Sequence, residues 1–355
     1  MILNVLFLLE DLCFGGTQRQ NVELALRLDR ARFRPAILTL TGPTDLDRKV
    51  LDGNIPLVHL GSNRKAAPLF FARLGSAIRK LRPDVIIPCT ALPNIWGRLW
   101  GKVLHIPVLG TVRGGGAPMR QHERFLWPLA AHTVCNSRAL FNVMRKIGVP
   151  ENRLSFIANG VDTERFHPGE LPPSSRKPLI VCVARLAGDK DHATLLRAFE
   201  LVARQHPHAR LRLVGDGPEE TALRKLAAQL EPCAASRVEF AGAADEPAPH
   251  YREGRVFALS SIREGTPNVV MEAMASGTPV CATAVGGIPE LLGKNGLLSE
   301  PGDYQAIAAN LLSLLQKGEL ADELGRNGRM AIERGFSFQA MTEAHERILE
   351  SIGAN

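Results

Sequence analysis

The sequence predicts an α/β protein built as two successive domains with mainly parallel sheets. Three observations carry this expectation. The chain has 355 residues, and at roughly 100–200 residues per domain that length favours two cores over one. Short apolar runs alternate with longer amphipathic stretches, the pattern of strands joined by crossover helices. A Pro- and Ser-rich stretch, residues 167–178 (HPGELPPSSRKP), separates two such series and has the composition of a linker.

In the first series the apolar runs predict strands over 2–9, 35–40, 56–60, 84–88, 107–112 and 132–135. Amphipathic stretches such as 17–28, 69–82 and 137–147 predict helices between them. After the linker, strands are expected at 178–184, 210–214, 237–241, 255–260 and 279–282. Helices are expected at 191–205, 218–230, 267–276 and 303–315. The stretch 319–352 reads as helix broken near Gly335-Phe336-Ser337. Two Rossmann-like domains is the architecture these elements assemble into.

Composition narrows the function classes. Apolar residues at 45% and charged residues at 22% exclude a disordered, collagenous or coiled-coil chain. The six cysteines are far apart with no CxxC pair, which argues against a zinc site or disulfide scaffold and suits a reducing compartment. The net charge of +7 is unevenly placed: residues 1–165 carry 23 Lys and Arg against 12 Asp and Glu, and residues 166–355 carry 20 against 24. A basic half suggests an anionic partner, whether nucleic acid, a membrane surface or a phosphorylated substrate. Without interleaved aromatics or a nucleic-acid module, nucleic acid is set aside. The apolar start is interrupted by Glu10-Asp11 and has no basic n-region, so it does not read as a signal peptide. No run approaches the ~18 apolar residues of a spanning helix. A cytoplasmic protein is the simplest expectation, with peripheral membrane contact left open.

Four segments carry the chemistry. In Val256–Gly277 a buried strand ends at Ser260-Ser261, and a loop bears Arg263-Glu264-Gly265. Thr266-Pro267 then reads as N-cap and first residue of a helix closed by Gly277. In open α/β sheets ligands bind at the carboxyl ends of strands, where helix N-termini present free amides. A carboxylate there is repelled by phosphate but accepts hydrogen bonds from sugar hydroxyls. A single Glu on a helix is ordinarily just solvated; the spacing of Glu264 and Glu272 and the cap weaken that reading. The second segment, VCVARLAGDK, places Arg185 and Lys190 on one strand-to-helix loop, where two cations suit a diphosphate. The third, Val214-Gly215-Asp216-Gly217-Pro218, is only a partial dinucleotide fingerprint. The fourth, Phe14-Gly15-Gly16-Thr17-Gln18, pairs glycines after the first strand and is equally well an ordinary tight turn.

Together the segments EGTPNVVMEAMASGTPVCAT, VGGIPELL, VARLAGDKDHATLLRAF, VGDGPE, NGVDTERF and GGTQRQ, in this arrangement, resemble the retaining glycosyltransferases of family 4 over nearly the whole chain. That resemblance implies the GT-B fold, two Rossmann-like domains facing each other across a donor and acceptor cleft. It implies a first domain over 1–166, with the 337–355 helix packed back on it, and a donor domain over 179–336. It assigns the donor diphosphate to Arg185 and Lys190 and the ribose hydroxyls to Glu272. It assigns the donor sugar to Glu264 with the backbone of Gly265, Thr266, Pro267 and Asn268. Gly16 would approach the phosphate, and Gly242 would line the nucleotide base. Where many members carry a His after a first-domain strand, this chain reads Gly110-Thr111-Val112-Arg113-Gly114-Gly115-Gly116. Arg113 takes that place as a cation for developing negative charge, or is a surface Arg on a glycine-rich loop. His105 and His122 are too far along the chain to be assumed equivalent.

The function expected on this basis is metal-independent hexose transfer with retention, from a nucleoside diphosphate sugar to a glycan or lipid-linked hydroxyl. No cofactor is expected, and UDP is favoured over GDP as carrier. A nucleotide-sugar epimerase and a catalytically impaired nucleotide-sugar-binding module are the rival readings. The basic stretch Phe70–Arg82 (FFARLGSAIRKLR) suits an anionic membrane, although a helix packed on its own sheet is the favoured reading.

Overall fold

The computed structural model describes residues 2–13, 15–61, 68–113 and 123–353. The chain forms two compact units, Met1–Gly160 with Phe338–Asn355, and Val161–Ser337. The division falls between Gly160 and Val161 rather than at 166, and the stretch 167–178 lies inside the second unit. Arg176 shows why. Its buried guanidinium donates to the carbonyls of Leu171 and Gly254 and to Thr278 Oγ1 at 2.9–3.1 Å, which ties the Pro-rich stretch down.

The first unit holds two parallel sheets. One has the order β3-β2-β1-β4, from β1 (Leu3–Leu9), β2 (Phe33–Thr39), β3 (Leu57–His59) and β4 (Val85–Pro88). The other is β5 (Leu109–Val112), β6 (His132–Cys135) and β7 (Leu154–Phe156), reached from β4 by the Ile86–Val108 bridge. Leu6, Phe7, Leu8 and Leu9 are all fully buried, as a parallel sheet covered on both faces requires. In the basic helix Pro68–Leu81, Phe70, Leu74 and Ile78 recur every fourth residue and lie in the core, while Arg79 and Lys80 are exposed. Its apolar stripe is therefore committed to its own sheet. The helix Phe338–Gly353 buries Phe338, Met341, Leu349 and Ile352 in the same core as β1 and β4. Burying each such side chain contributes about 1.5–3 kcal/mol.

The second unit is one six-stranded parallel sheet, β10-β9-β8-β11-β12-β13. Its strands are β8 (Leu179–Val183), β9 (Arg210–Val214), β10 (Val238–Gly242), β11 (Val256–Leu259), β12 (Val280–Thr283) and β13 (Gly296–Ser299). The chain enters at the centre, winds outward through β9 and β10, then returns to lay β11 on the other side of β8. Connections therefore leave β8 and β11 in opposite directions, and a crevice opens at their carboxyl ends.

Candidate functional site

The sequence places Arg185 and Lys190 after β8 and Glu264 after β11, so the switch point brings these two loops side by side. Lys190 Nζ lies 2.7 Å from Glu264 Oε1, and Ser261 Oγ donates to that same oxygen at 2.7 Å. Asp189 Oδ2 is 3.4 Å from the ammonium. Glu264 is only 8% exposed, and a buried carboxylate is tolerable because a cation and a hydroxyl both serve it. Arg185, on the same loop, is exposed and makes no ion pair among the described residues.

The loops are held by their backbones. Ile262 N donates to Asp189 O at 2.9 Å. Ser260 Oγ sits 3.0 and 2.8 Å from the carbonyl oxygens of Lys190 and Asp191. Gly287 N donates to Gly265 O at 2.6 Å, and Thr283 Oγ1 to Ser261 O at 2.6 Å. Gly286, at φ +57, is irreplaceable for two reasons: it adopts the left-handed region, and a Cβ there would fall on the Glu264 carbonyl oxygen. On the other side of β8, Gly215 donates to Gly242 O at 2.7 Å, which fixes Gly242 at the end of β10.

The helix behind Glu264 runs Asn268–Ala275 with Pro267 at its cap, one residue later than the Thr266-Pro267 pair suggests. Pro267, at ψ 120, remains extended and so cannot be the first helical residue. Glu272 is 4% exposed and its Oε2 accepts from Tyr251 Oη at 2.9 Å. Two neighbours are chemically quiet. Burial pushes the Cys182 thiol up to about 12, so it is no nucleophile at neutral pH. Burial brings His192 down to about 4, so its imidazole is neutral beside Lys190 and adds no positive charge.

In the first unit Gly16 starts the helix Gly16–Arg27, the element that follows β1, while Phe14 lies outside the described residues. Arg113 follows β5 and donates from Nη1 to Asn159 Oδ1 at 3.0 Å. Burial holds its guanidinium below the ordinary pKa. Gly114, Gly115, Gly116 and His122 lie outside the described residues. His105 closes the helix Ala91–Leu104 in the left-handed region, before β5 begins, so it stands at the strand's amino side. Sequence reasoning missed three partners, Ser261, Tyr251 and Asn159. Ser261 and Asn159 fall inside the motifs named above, whereas nothing in the spacing marks Tyr251.

Comparison with known proteins decides the family. The Glycosyltransferase Family 4 model matches residues 14–165, and the Glycosyl transferases group 1 model matches 177–317. The chain belongs to the family 4 glycosyltransferases. It is 29% identical over 299 residues to a sulfoquinovosyl transferase of Arabidopsis thaliana, covering 76% of this chain and 57% of that protein. It is 34% identical over 200 residues to a GDP-mannose-dependent phosphatidylinositol monomannoside mannosyltransferase of Mycobacterium tuberculosis strain H37Rv, covering 51% of each. The chain thus spans little more than half the length of these curated relatives. Among solved structures, Anabaena HepE in complex with UDP and glucose matches with a TM-score of 0.81 at 21% identity, covering 98% of this chain and all of that one. This likeness shows that the family 4 chain has the α/β fold of GT-B enzymes.

Proposed function

We propose that this chain transfers a hexose from a nucleoside diphosphate sugar to a hydroxyl of a glycan or lipid-linked acceptor. In this reading the anomeric configuration is retained, no metal ion takes part, and the product belongs to a cell-surface polysaccharide or glycolipid. One observation carries the reading: the 2.7 Å Lys190–Glu264 contact at the switch point, with Arg185 exposed on the same loop and without an ion pair among the described residues. Lys190 has three N–H donors, so it holds Glu264 with one and offers the others to a phosphate oxygen. Arg185 and Lys190 then carry the charge that grows on the leaving diphosphate. Glu264, with the backbone of Gly265, Thr266, Pro267 and Asn268, orients the sugar hydroxyls. Glu272, held by Tyr251, takes the ribose, and Gly242 lies beside the base.

The acceptor hydroxyl attacks the anomeric carbon from the face the diphosphate leaves, and its proton passes to the departing phosphate oxygen. Gly16 and Arg113 contribute to phosphate and charge recognition from the carboxyl ends of first-unit strands. UDP is the favoured carrier, in line with the nucleotide in HepE, and the GDP-mannose-dependent relative makes GDP the alternative to test. The excess of cations in residues 51–150, 14 against 3 acidic residues, suits an anionic acceptor or membrane surface at the cytoplasmic face. Docking through such a charge excess is electrostatic and weakens with salt; among the described residues no helix is long and apolar enough to cross a membrane.

The test is transfer from UDP- and GDP-sugars to an acceptor panel in EDTA, with the product linkage read by NMR. Retention of the donor's anomeric configuration is expected. An inverted linkage, epimerised donor without transfer, or activity lost in EDTA and rescued by Mn²⁺ overturns the reading.

A further inference from the structure

A second feature of the Val161–Ser337 unit lies away from these loops. A parallel sheet is ordinarily apolar on both faces and covered by helices. Strand β9 departs from this: Arg210 and Arg212 alternate toward one face, with His208 in the turn just before the strand, while Leu211 and Leu213 are buried on the other. That face opens into a groove of about 960 Å³ at the amino ends of β8 and β9. β8 has five residues, and at ~3.3 Å each the groove lies roughly 17 Å from the loop bearing Arg185.

The charges lining it do not cancel. Among the described residues it is lined by five Lys and Arg side chains against three Glu, with two histidines besides. Arg212 is already neutralised, at 3.0 Å from Glu239 and 2.6 Å from Glu253. Among the described residues Arg252 bonds only His167, at 3.2 Å. Lys177 and Arg210 are exposed and form no ion pair among the described residues. They stand on neighbouring stretches of the chain, the lead-in to β8 and the start of β9, because Arg210 N donates to Pro178 O at 3.0 Å. Glu170 at the rim is the carboxylate left over. Prolines 168, 178 and 249 and Leu171 add apolar walls, and the volume far exceeds that of one phosphate.

We propose that this groove is a second anion site, separate from the donor loops, which takes a phosphate ester on a small organic body through Lys177 and Arg210. An adjacent ammonium and guanidinium match a phosphate dianion, the guanidinium by its paired N–H groups. The apolar walls take the ester's organic part. The same chemistry is offered by a soluble sugar phosphate and by a phospholipid headgroup.

Calorimetric titration of the full chain with glucose 6-phosphate, and sedimentation with phosphatidylglycerol vesicles, distinguishes the sources. Wild type and Lys190→Ala are expected to bind one of these probes equally. Lys177→Ala with Arg210→Ala should weaken that binding at least tenfold, and Arg210→Glu should abolish it, with the melting temperature of each unchanged. Binding of vesicles alone assigns a lipid headgroup, and binding of the sugar phosphate assigns a soluble ester. Failure of wild type to bind either probe overturns the proposal. So does a loss that follows Lys190→Ala rather than the groove variants.

Discussion

Removing Lys190 separates the stability of the donor loops from their chemistry. Glu264 has only 9% of its side chain exposed, and its Oε1 takes one bond from Lys190 and one from Ser261. Breaking a fully buried pair costs about 3–5 kcal/mol because a charge is left unanswered. Lys190 keeps 21% of its side chain in solvent, and Ser261 remains, so about 2 kcal/mol is expected for Lys190→Ala. For a unit of this size that lowers the melting temperature by about 4–8 °C. Adding Glu264→Gln should restore most of the loss, because a neutral amide needs no cation. Transfer should behave differently: loss of a donor to the leaving group costs about 10²–10³ in rate, and the double variant should be no faster. Scanning calorimetry and initial-rate transfer assays on the two single variants and the double variant form a complete cycle. Near-normal turnover in Lys190→Ala, or a double variant that recovers both stability and activity, would refute the reasoning.

Four further outcomes are expected. Glu272→Ala should cut transfer by orders of magnitude with the fold intact. Tyr251→Phe, which removes one hydrogen bond to Glu272 worth about 0.5–1.5 kcal/mol, should raise the donor KM up to about tenfold; an unchanged KM would remove Glu272 from ribose binding. Gly286→Ala should disable transfer without touching a ligand group, because its Cβ displaces the Glu264 carbonyl; crystallography showing an unmoved loop would contradict this. Acid should destabilise both units. His192 and His345 are held near pKa 4 by burial, below the unfolded value of ~6.5. Between those values the unfolded chain binds the extra protons, so stability falls as pH drops through 6.5 toward 4, by up to about 1.4 kcal/mol per pH unit per histidine. Urea unfolding at stepped pH, with His192→Gln and His345→Gln flattening the slope, measures it; a slope unchanged in both variants would place the acid sensitivity elsewhere.

Much of this arrangement is legible in the sequence because its signals are local. Strands such as β1, β8 and β11 are near-continuous apolar runs, as burial on both faces demands. The cations of VCVARLAGDK and the carboxylates of EGTPNVVME follow such runs directly, so the residue order alone puts them at strand ends. What escapes is set by tertiary contact. β7 and β13, of three and four residues, are too short to show a period. The helix Ala91–Leu104 contains Pro93 and two glycines, which propensity counts against it. Pro93 falls in its first turn, where no backbone donor is lost, and Gly97 lets it pack against Leu8 and Pro88. Ser261 and Tyr251 serve Glu264 and Glu272 over 3 and 21 residues of chain, respectively. Only the second is a long-range contact, and only it leaves no trace in the motif.

The central claim is that the loop bearing Arg185 and Lys190, braced by Glu264, holds the diphosphate of a nucleotide sugar. Calorimetric titration of UDP-glucose and GDP-mannose in EDTA, into wild type and into Lys190→Ala, tests it most directly. Saturable binding of at least one donor to wild type, weakened at least tenfold in the variant, is the predicted result. Failure of wild type to bind either donor, or equal affinity in both proteins, would contradict it.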